Sequence, residues 1–212
     1  MMNKVEVIEN YLDELLPDAH CELNYHKDYE LVIAVMLSAQ TTDKRVNKVT
    51  SVLFTKYPSL EDLRSANLQD VSNIVHELGS YTKKAQAVIA IANILVDKYQ
   101  GKVPNKRKDL ESLPMVGRKT ANVVLSEYFK VPNIAVDTHV NRVSKRLGLA
   151  KENDSVLEVE AKLKRKFKRE DWNKRHHQLV LFGRYQCKAI APLCDNCKLK
   201  SICKWQKEKA HD

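Results

Sequence analysis

The sequence predicts an all-α protein, and three observations carry that reading. Apolar residues recur at helical spacing along nearly the whole chain, no segment sustains period-two alternation, and the boundaries between stripes carry capping residues. With 43 % hydrophobic residues, 5 Gly and 6 Pro in 212 residues, a disordered, collagenous or low-complexity chain is excluded. The length suits one large domain or two small ones with a real core.

The elements follow in order. Residues 1–17 carry Glu6, Glu9, Asp13 and Glu14 among apolar residues, so they form neither a signal nor a transit peptide. Glu30 to Ala39 is apolar nearly all round and reads as a central buried helix. Its core, Leu31 to Leu37, is the longest apolar run in the chain and falls far short of the roughly 18 residues of a membrane span. A soluble, cytoplasmic protein without membrane contact is expected. Ser59 precedes Leu60 with Asp62 three residues on, a helix start. Leu68, Val71, Ile74, Val75 and Leu78 make one stripe, and Ala85, Val88, Ile89, Ala92, Leu95, Val96 and Tyr99 the next. Val136, Val140, Val143 and Leu147 form a third, and Val156, Val159, Leu163 and Phe167 a fourth. Ser155 with Glu158 has capping-box spacing. Pro17, Pro58, Pro104, Pro114 and Pro132 fall between stripes, where a missing N–H costs little. Gly101 and Gly148 sit just past stripes, where left-handed residues end helices. The expectation is roughly ten short helices.

Charge supplies the first functional clue. The formal net charge is +9, yet residues 1–137 hold 17 Lys/Arg against 18 Asp/Glu, whereas residues 138–212 hold 19 against 9. A basic field of that density suits a polyanion, because each neutralised phosphate releases counterions; a merely Lys-rich surface is the alternative.

Four of the five cysteines, Cys187, Cys194, Cys197 and Cys203, fall in the spacing C-x6-C-x2-C-x5-C. Cys21 stands apart and reads as a small buried hydrophobe. In a reducing compartment such a group favours metal ligation over disulfides. Thiolates suit zinc or an iron–sulfur cluster equally on softness. Zinc ribbons usually show paired C-x2-C knuckles, and one is present here, so the spacing favours a cluster and leaves zinc as the alternative.

The stretch Leu113-Pro114-Met115-Val116-Gly117-Arg118-Lys119-Thr120-Ala121 lies between two helical segments. Pro114 ends the first, Gly117 permits a reversal, and the next helix starts with backbone N–H groups free to hold a phosphate. An ordinary helix–turn–helix corner has the same look. Lys119, in the first helical turn, meets the positive end of the helix dipole, and a lysine amine freed of its proton is a nucleophile. Asp137, in Val136-Asp137-Thr138-His139-Val140, is a natural N-cap, and a capping carboxylate is rigidly aimed.

The hairpin, Lys119, Asp137, the cysteine spacing and Leu37-Ser38-Ala39-Gln40-Thr41-Thr42-Asp43 occur in the order and at the distances of the endonuclease III family, which the chain resembles from about Cys21 to Trp205. That resemblance implies two helical lobes with damaged double-stranded DNA in the cleft between them. Residues 22–132 would form a six-helix lobe containing the helix–hairpin–helix, about 105–129. Residues 1–21 plus 133–212 would form the lobe holding a [4Fe–4S] cluster at 187–203, bound by Cys187, Cys194, Cys197 and Cys203. The implied activity is base-excision repair by a monomer: an N-glycosylase removing oxidised pyrimidines, with lyase action at abasic sites. Lys119 would attack C1′ of a flipped nucleotide, and Asp137 would accept the amine proton and stabilise the cationic sugar. Gln40 matches the residue that fills the hole left by the extruded base. Gly117, Arg118, Thr120, His139 and Lys188 match DNA-facing positions, and Glu111 a polar position near the site. The setting would be the cytoplasm, at the nucleoid in a prokaryotic host.

Three positions depart from the family pattern. Met115 stands where a Leu-Pro-Gly-Val-Gly hairpin has its first glycine, Ser80 replaces a leucine wedge, and the loop from Lys188 to Leu193 carries a single basic residue. These departures predict lyase chemistry with weakened DNA grip or an altered substrate range. Two other readings stay open. One is a monofunctional adenine-removing relative, which usually lacks the lysine; the other is a non-catalytic or weakly active DNA-binding paralogue.

Overall fold

The computed structural model describes residues 2–209, and among them every regular element is helical, with no strand. The chain divides into two compact units, Glu22–Phe129 and a discontinuous one made of Met1–Cys21 with Lys130–Asp212.

The continuous unit contains seven helices: α2 (Asp28–Leu37), α3 (Asp43–Lys56), α4 (Leu60–Arg64), α5 (Leu68–Ile74), α6 (Tyr81–Tyr99), α7 (Arg107–Glu111) and α8 (Arg118–Glu127). That is one more than the six expected; two of the seven, α4 and α7, have only five residues each. The α2 helix is the central buried element: all its residues from Tyr29 to Leu37 are buried, and it packs against α3, α6 and α8. Its first turn is closed by Glu30, whose buried carboxylate accepts from the backbone N–H groups of His26 at 2.7 Å and Lys27 at 3.2 Å. The Ser59–Asp62 cap forms as expected, with reciprocal bonds of 3.0 and 3.1 Å.

The discontinuous unit contains α1 (Lys4–Leu15), α9 (Thr138–Arg146), α10 (Val156–Lys166), α11 (Trp172–Leu181), a π-turn at Phe182–Gln186, and α12 (Lys204–Lys209). Its core gathers Ile8 and Leu12 from α1 with Ile134, Val140, Val143, Val159, Leu163, Leu179 and Phe182. Val136 belongs to this core but not to the helix the stripe suggested. The chain has no regular secondary structure from Pro132 to Val136, and α9 begins only after Asp137. The Ser155–Glu158 capping box forms.

The α1 helix also alters the reading of charge. Residues 1–21 bring one lysine and five carboxylates into the unit that holds the basic C-terminal third. Buried Arg175 donates to Asp13 at 2.6 and 3.1 Å and faces Glu9 at 3.3 Å, while Lys174 reaches Asp13 at 2.7 Å and Lys198 pairs with Glu14. Burial opposes the charge on Asp13, but the bonds from Arg175, Lys174 and Gln178 outweigh it and hold the carboxyl well below the usual carboxylate range. Part of the basic surplus is therefore consumed by holding α1 in place. Only the Arg175 side of this network is buried; Asp13 is 37 % exposed, so solvent screens the pair in part.

Candidate active site and metal centre

The hairpin lies between α7 and α8. Ser112 ends α7, Val116 N–H donates back to Leu113 O at 3.1 Å, and Val116 packs its side chain inside while Gly117 is exposed. Gly117 is the N-cap of α8 in ordinary extended geometry, and no side chain caps this helix. A Cβ there would meet nothing within 4 Å, so the space beside these N–H donors is open. Arg118 and Lys119 are exposed in the first turn, whereas Thr120 turns inward and is buried.

Met115 occupies the left-handed region at φ 58° with its side chain 46 % exposed. The hairpin thus keeps the backbone shape that glycine adopts freely, at the steric cost of a Cβ. The side chain points to solvent and leaves the fold of the reversal intact. Gln40 and Ser80, in the α2–α3 and α5–α6 connections, are likewise exposed and left-handed, at φ 59° and 58°. Three of the positions matched to DNA contacts are therefore non-glycine residues in strained backbone, a pattern that collects at functional loops.

In the other unit, Asp137 caps α9 as its sequence position suggests: its Oδ1 accepts from Val140 N–H at 2.8 Å, and the residue is half-buried. His139, in the first turn of α9, has its Nδ1 3.2 Å from Arg142 Nη2. The α9 helix lies close against Gly183 of the π-turn, where a Cβ would come within 2.9 Å of the His139 Cβ. Only glycine lets these two segments approach so closely.

All four C-terminal cysteines line one cavity, together with Leu147, Phe182, Leu193 and Trp205. Among the described residues no three His, Cys, Asp or Glu side chains are drawn about a single point as one metal ion would need. Burial pushes the Cys187 thiol up, against a hydrogen bond from Arg146 Nη1 at 3.5 Å; burial pushes Cys197 up as well. Arg146 also donates to the carbonyls of Lys188 at 2.7 Å and Ala189 at 3.2 Å, and its guanidinium lies 4.3 Å from the Trp205 ring centroid. Arg142 donates to the carbonyls of Gly183 and Cys187. The sequence reading passed over these two arginines. Their signal was present: an i, i+4 pair of cations on the face of α9 that follows Asp137. Lys188 itself is exposed.

Comparison with known proteins gives this architecture a class. Residues 33–169 match the family model described as HhH-GPD superfamily base excision DNA repair protein. Endonuclease III of Bacillus subtilis (strain 168) is 47 % identical over 203 residues, covering 96 % of this chain and 93 % of that protein. Endonuclease III of Escherichia coli (strain K12) is 41 % identical over 210 residues, covering 98 % and 99 %. A solved non-covalent endonuclease III–DNA complex superposes with TM-score 0.94 at 46 % identity, covering all of both chains. A trapped endonuclease III–DNA covalent intermediate superposes with TM-score 0.92 at 48 % identity, covering 99 % of this chain and 100 % of that one. The chain belongs to the endonuclease III family of that superfamily. Among the described residues no helix is long and apolar enough to cross a membrane.

Proposed function

We propose that the protein is a base-excision DNA N-glycosylase with associated lyase activity, acting on double-stranded DNA that carries oxidised pyrimidines or abasic sites. The observation that carries this reading is Lys119, exposed in the first turn of a helix whose N-terminus is left uncapped by any side chain. Open N–H donors at Gly117 and beyond suit a DNA phosphate, and the adjacent amine suits attack on the sugar of the same strand. Lys119 Nζ, once deprotonated, bonds to C1′ as the N-glycosidic bond breaks, and the base departs with the electron pair and is protonated. Asp137 accepts the amine proton and offsets positive charge developing on the sugar. Ring opening leaves an iminium, which acidifies the C2′ protons. Removal of one expels the 3′ phosphate by β-elimination, and water releases Lys119. Gln40, Ser80, Met115, Arg118, His139 and Lys188 contact the strand around the extruded nucleotide, whereas Thr120, expected among them, is buried and has little surface to offer DNA. The enzyme works as a monomer in the cytoplasm, on the nucleoid in a prokaryotic host.

Cys187, Cys194, Cys197 and Cys203 would hold a [4Fe–4S] cluster. They line one shared cavity, and the C-x6-C-x2-C-x5-C spacing favours a cluster over zinc, whose ribbons usually show two C-x2-C knuckles. Arg146 supplies a positive charge and a donor toward the Cys187 sulfur, as an anionic thiolate centre requires. The cluster would organise the loop from Lys188 to Leu193; the lysine chemistry passes through no metal.

Borohydride reduction in the presence of an abasic duplex tests the central step. A covalent protein–DNA adduct is expected with the wild type and none with Lys119→Ala. Absence of the adduct from folded, cluster-loaded wild type would sink the reading. Purified protein should be yellow-brown with absorbance near roughly 400 nm, and a colourless zinc protein would contradict the cluster assignment.

A further inference from the structure

Lys84 is a buried cation that the repair chemistry does not use. It lies in the first turn of α6 with 1 % of its surface exposed. Burial lowers its proton affinity, and no carboxylate acts in the other direction. Its Nζ donates to the Ala39 carbonyl at 2.9 Å. Ala39 follows Ser38, the C-cap of α2, so the ammonium sits at the negative end of that helix dipole. The next residue is Gln40, held left-handed. Lys84 also stands one turn into the helix that Ser80 starts: its backbone N–H makes the ordinary helical bond to the Ser80 carbonyl at 3.1 Å, and Ser80 is the left-handed N-cap of α6, so the side-chain bond to Ala39 fastens the Gln40 loop to that turn.

One residue thus joins the two connections that carry Gln40 and Ser80. A methionine would fill the same slot without the desolvation of a cation, so burying an unpaired ammonium makes sense only for what its donors hold. What they hold is the carbonyl beside Gln40.

We propose that Lys84 is a positioning residue that locks the Gln40 loop to the Ser80 turn, so that both present their side chains to DNA in one fixed geometry. The proposal rests on the reading of Gln40 as the residue that fills the vacated space in the duplex. It predicts that Lys84 acts on repair through Gln40 and not through overall stability.

The test is a double-mutant cycle with Lys84→Met and Gln40→Ala, singly and combined, read as single-turnover excision of an oxidised pyrimidine. Lys84→Met should keep its thermal midpoint within a few degrees or raise it, yet lose about tenfold in kcat/KM, the scale of a small misplacement. In the Gln40→Ala background the same change should cost less than about twofold, since the two residues act as one unit. Losses that multiply in full would overturn the proposal, as would a Gln40→Ala variant with wild-type rates. A second measurement needs no variant: the Lys84 ammonium resonance of lysine-labelled wild type should shift when an abasic duplex binds. An unmoved resonance at saturation overturns the proposal, and this readout decides should Lys84→Met not fold. Wild type that forms no borohydride adduct would instead remove the repair reading itself, a failure distinct from full multiplication in active enzyme.

Discussion

Helices α8 and α9 begin twenty residues apart, and they begin in opposite ways. The α9 helix follows the ordinary rules: Asp137 accepts a backbone bond at its start, and Lys145 and Arg146 occupy its last turn, so charge complements the dipole at both ends. The α8 helix breaks them. It starts on a glycine with no side chain to offer, and two cations, Arg118 and Lys119, sit at the end where the dipole is already positive. The α9 start is capped by a side chain of the protein, whereas the α8 start has no side-chain cap. The capped terminus presents a fixed carboxylate; the uncapped one presents the exposed amine of Lys119, which the proposed function sets beside a DNA phosphate.

That contrast can be pushed from three sides. The largest effect is expected at Asp137. Asparagine caps a helix about as well as aspartate, so Asp137→Asn should shift stability by only a few tenths of a kcal/mol. Excision, measured in single turnover, should nevertheless fall by about a hundredfold or more, because the carboxylate is gone. Equal and small effects on both would reduce Asp137 to a cap. A middle effect is expected in the hairpin. Met115→Gly removes the Cβ from a left-handed position and should stabilise by about 0.5–1 kcal/mol in a urea titration, with tighter binding to an abasic duplex. Stabilisation without tighter binding would show that the methionine never obstructs the phosphate. The smallest effect belongs to Gly117→Ser, which fits because a Cβ there meets nothing within 4 Å. A hydroxyl cap should add a few tenths of a kcal/mol while weakening duplex binding severalfold, since the helix would then satisfy its own donor. Unchanged binding would deny the α8 terminus its phosphate.

The same contrast marks what was legible in the sequence. Features set by nearest neighbours were plain: the Asp137 cap, the helix start at Ser59, the Ser155 capping box and the buried α2 helix all form where the residues foretold them. Features set by distant partners were not. Lys84 sits beside Ala85 at the head of an apolar stripe, and nothing local says that its ammonium is sealed inside against Ala39. The carboxylates of α1 read as an acidic start, and their pairing with Arg175 and Lys174 depends on a chain return more than a hundred and fifty residues later. The strained backbone at Gln40 and Ser80 has no residue-type signal at all, since glycine is absent from both.

The bond between Arg175 and Asp13, separated by 162 positions, also sets an order of events during synthesis. The continuous unit has all its partners once Phe129 is made, whereas α1 precedes α11, on which it packs, by more than a hundred and fifty residues. At about 5–20 residues per second that interval lasts on the order of ten to thirty seconds. For that interval the apolar face of α1, Ile8, Tyr11 and Leu12, lacks the α11 part of the core it joins in the finished fold.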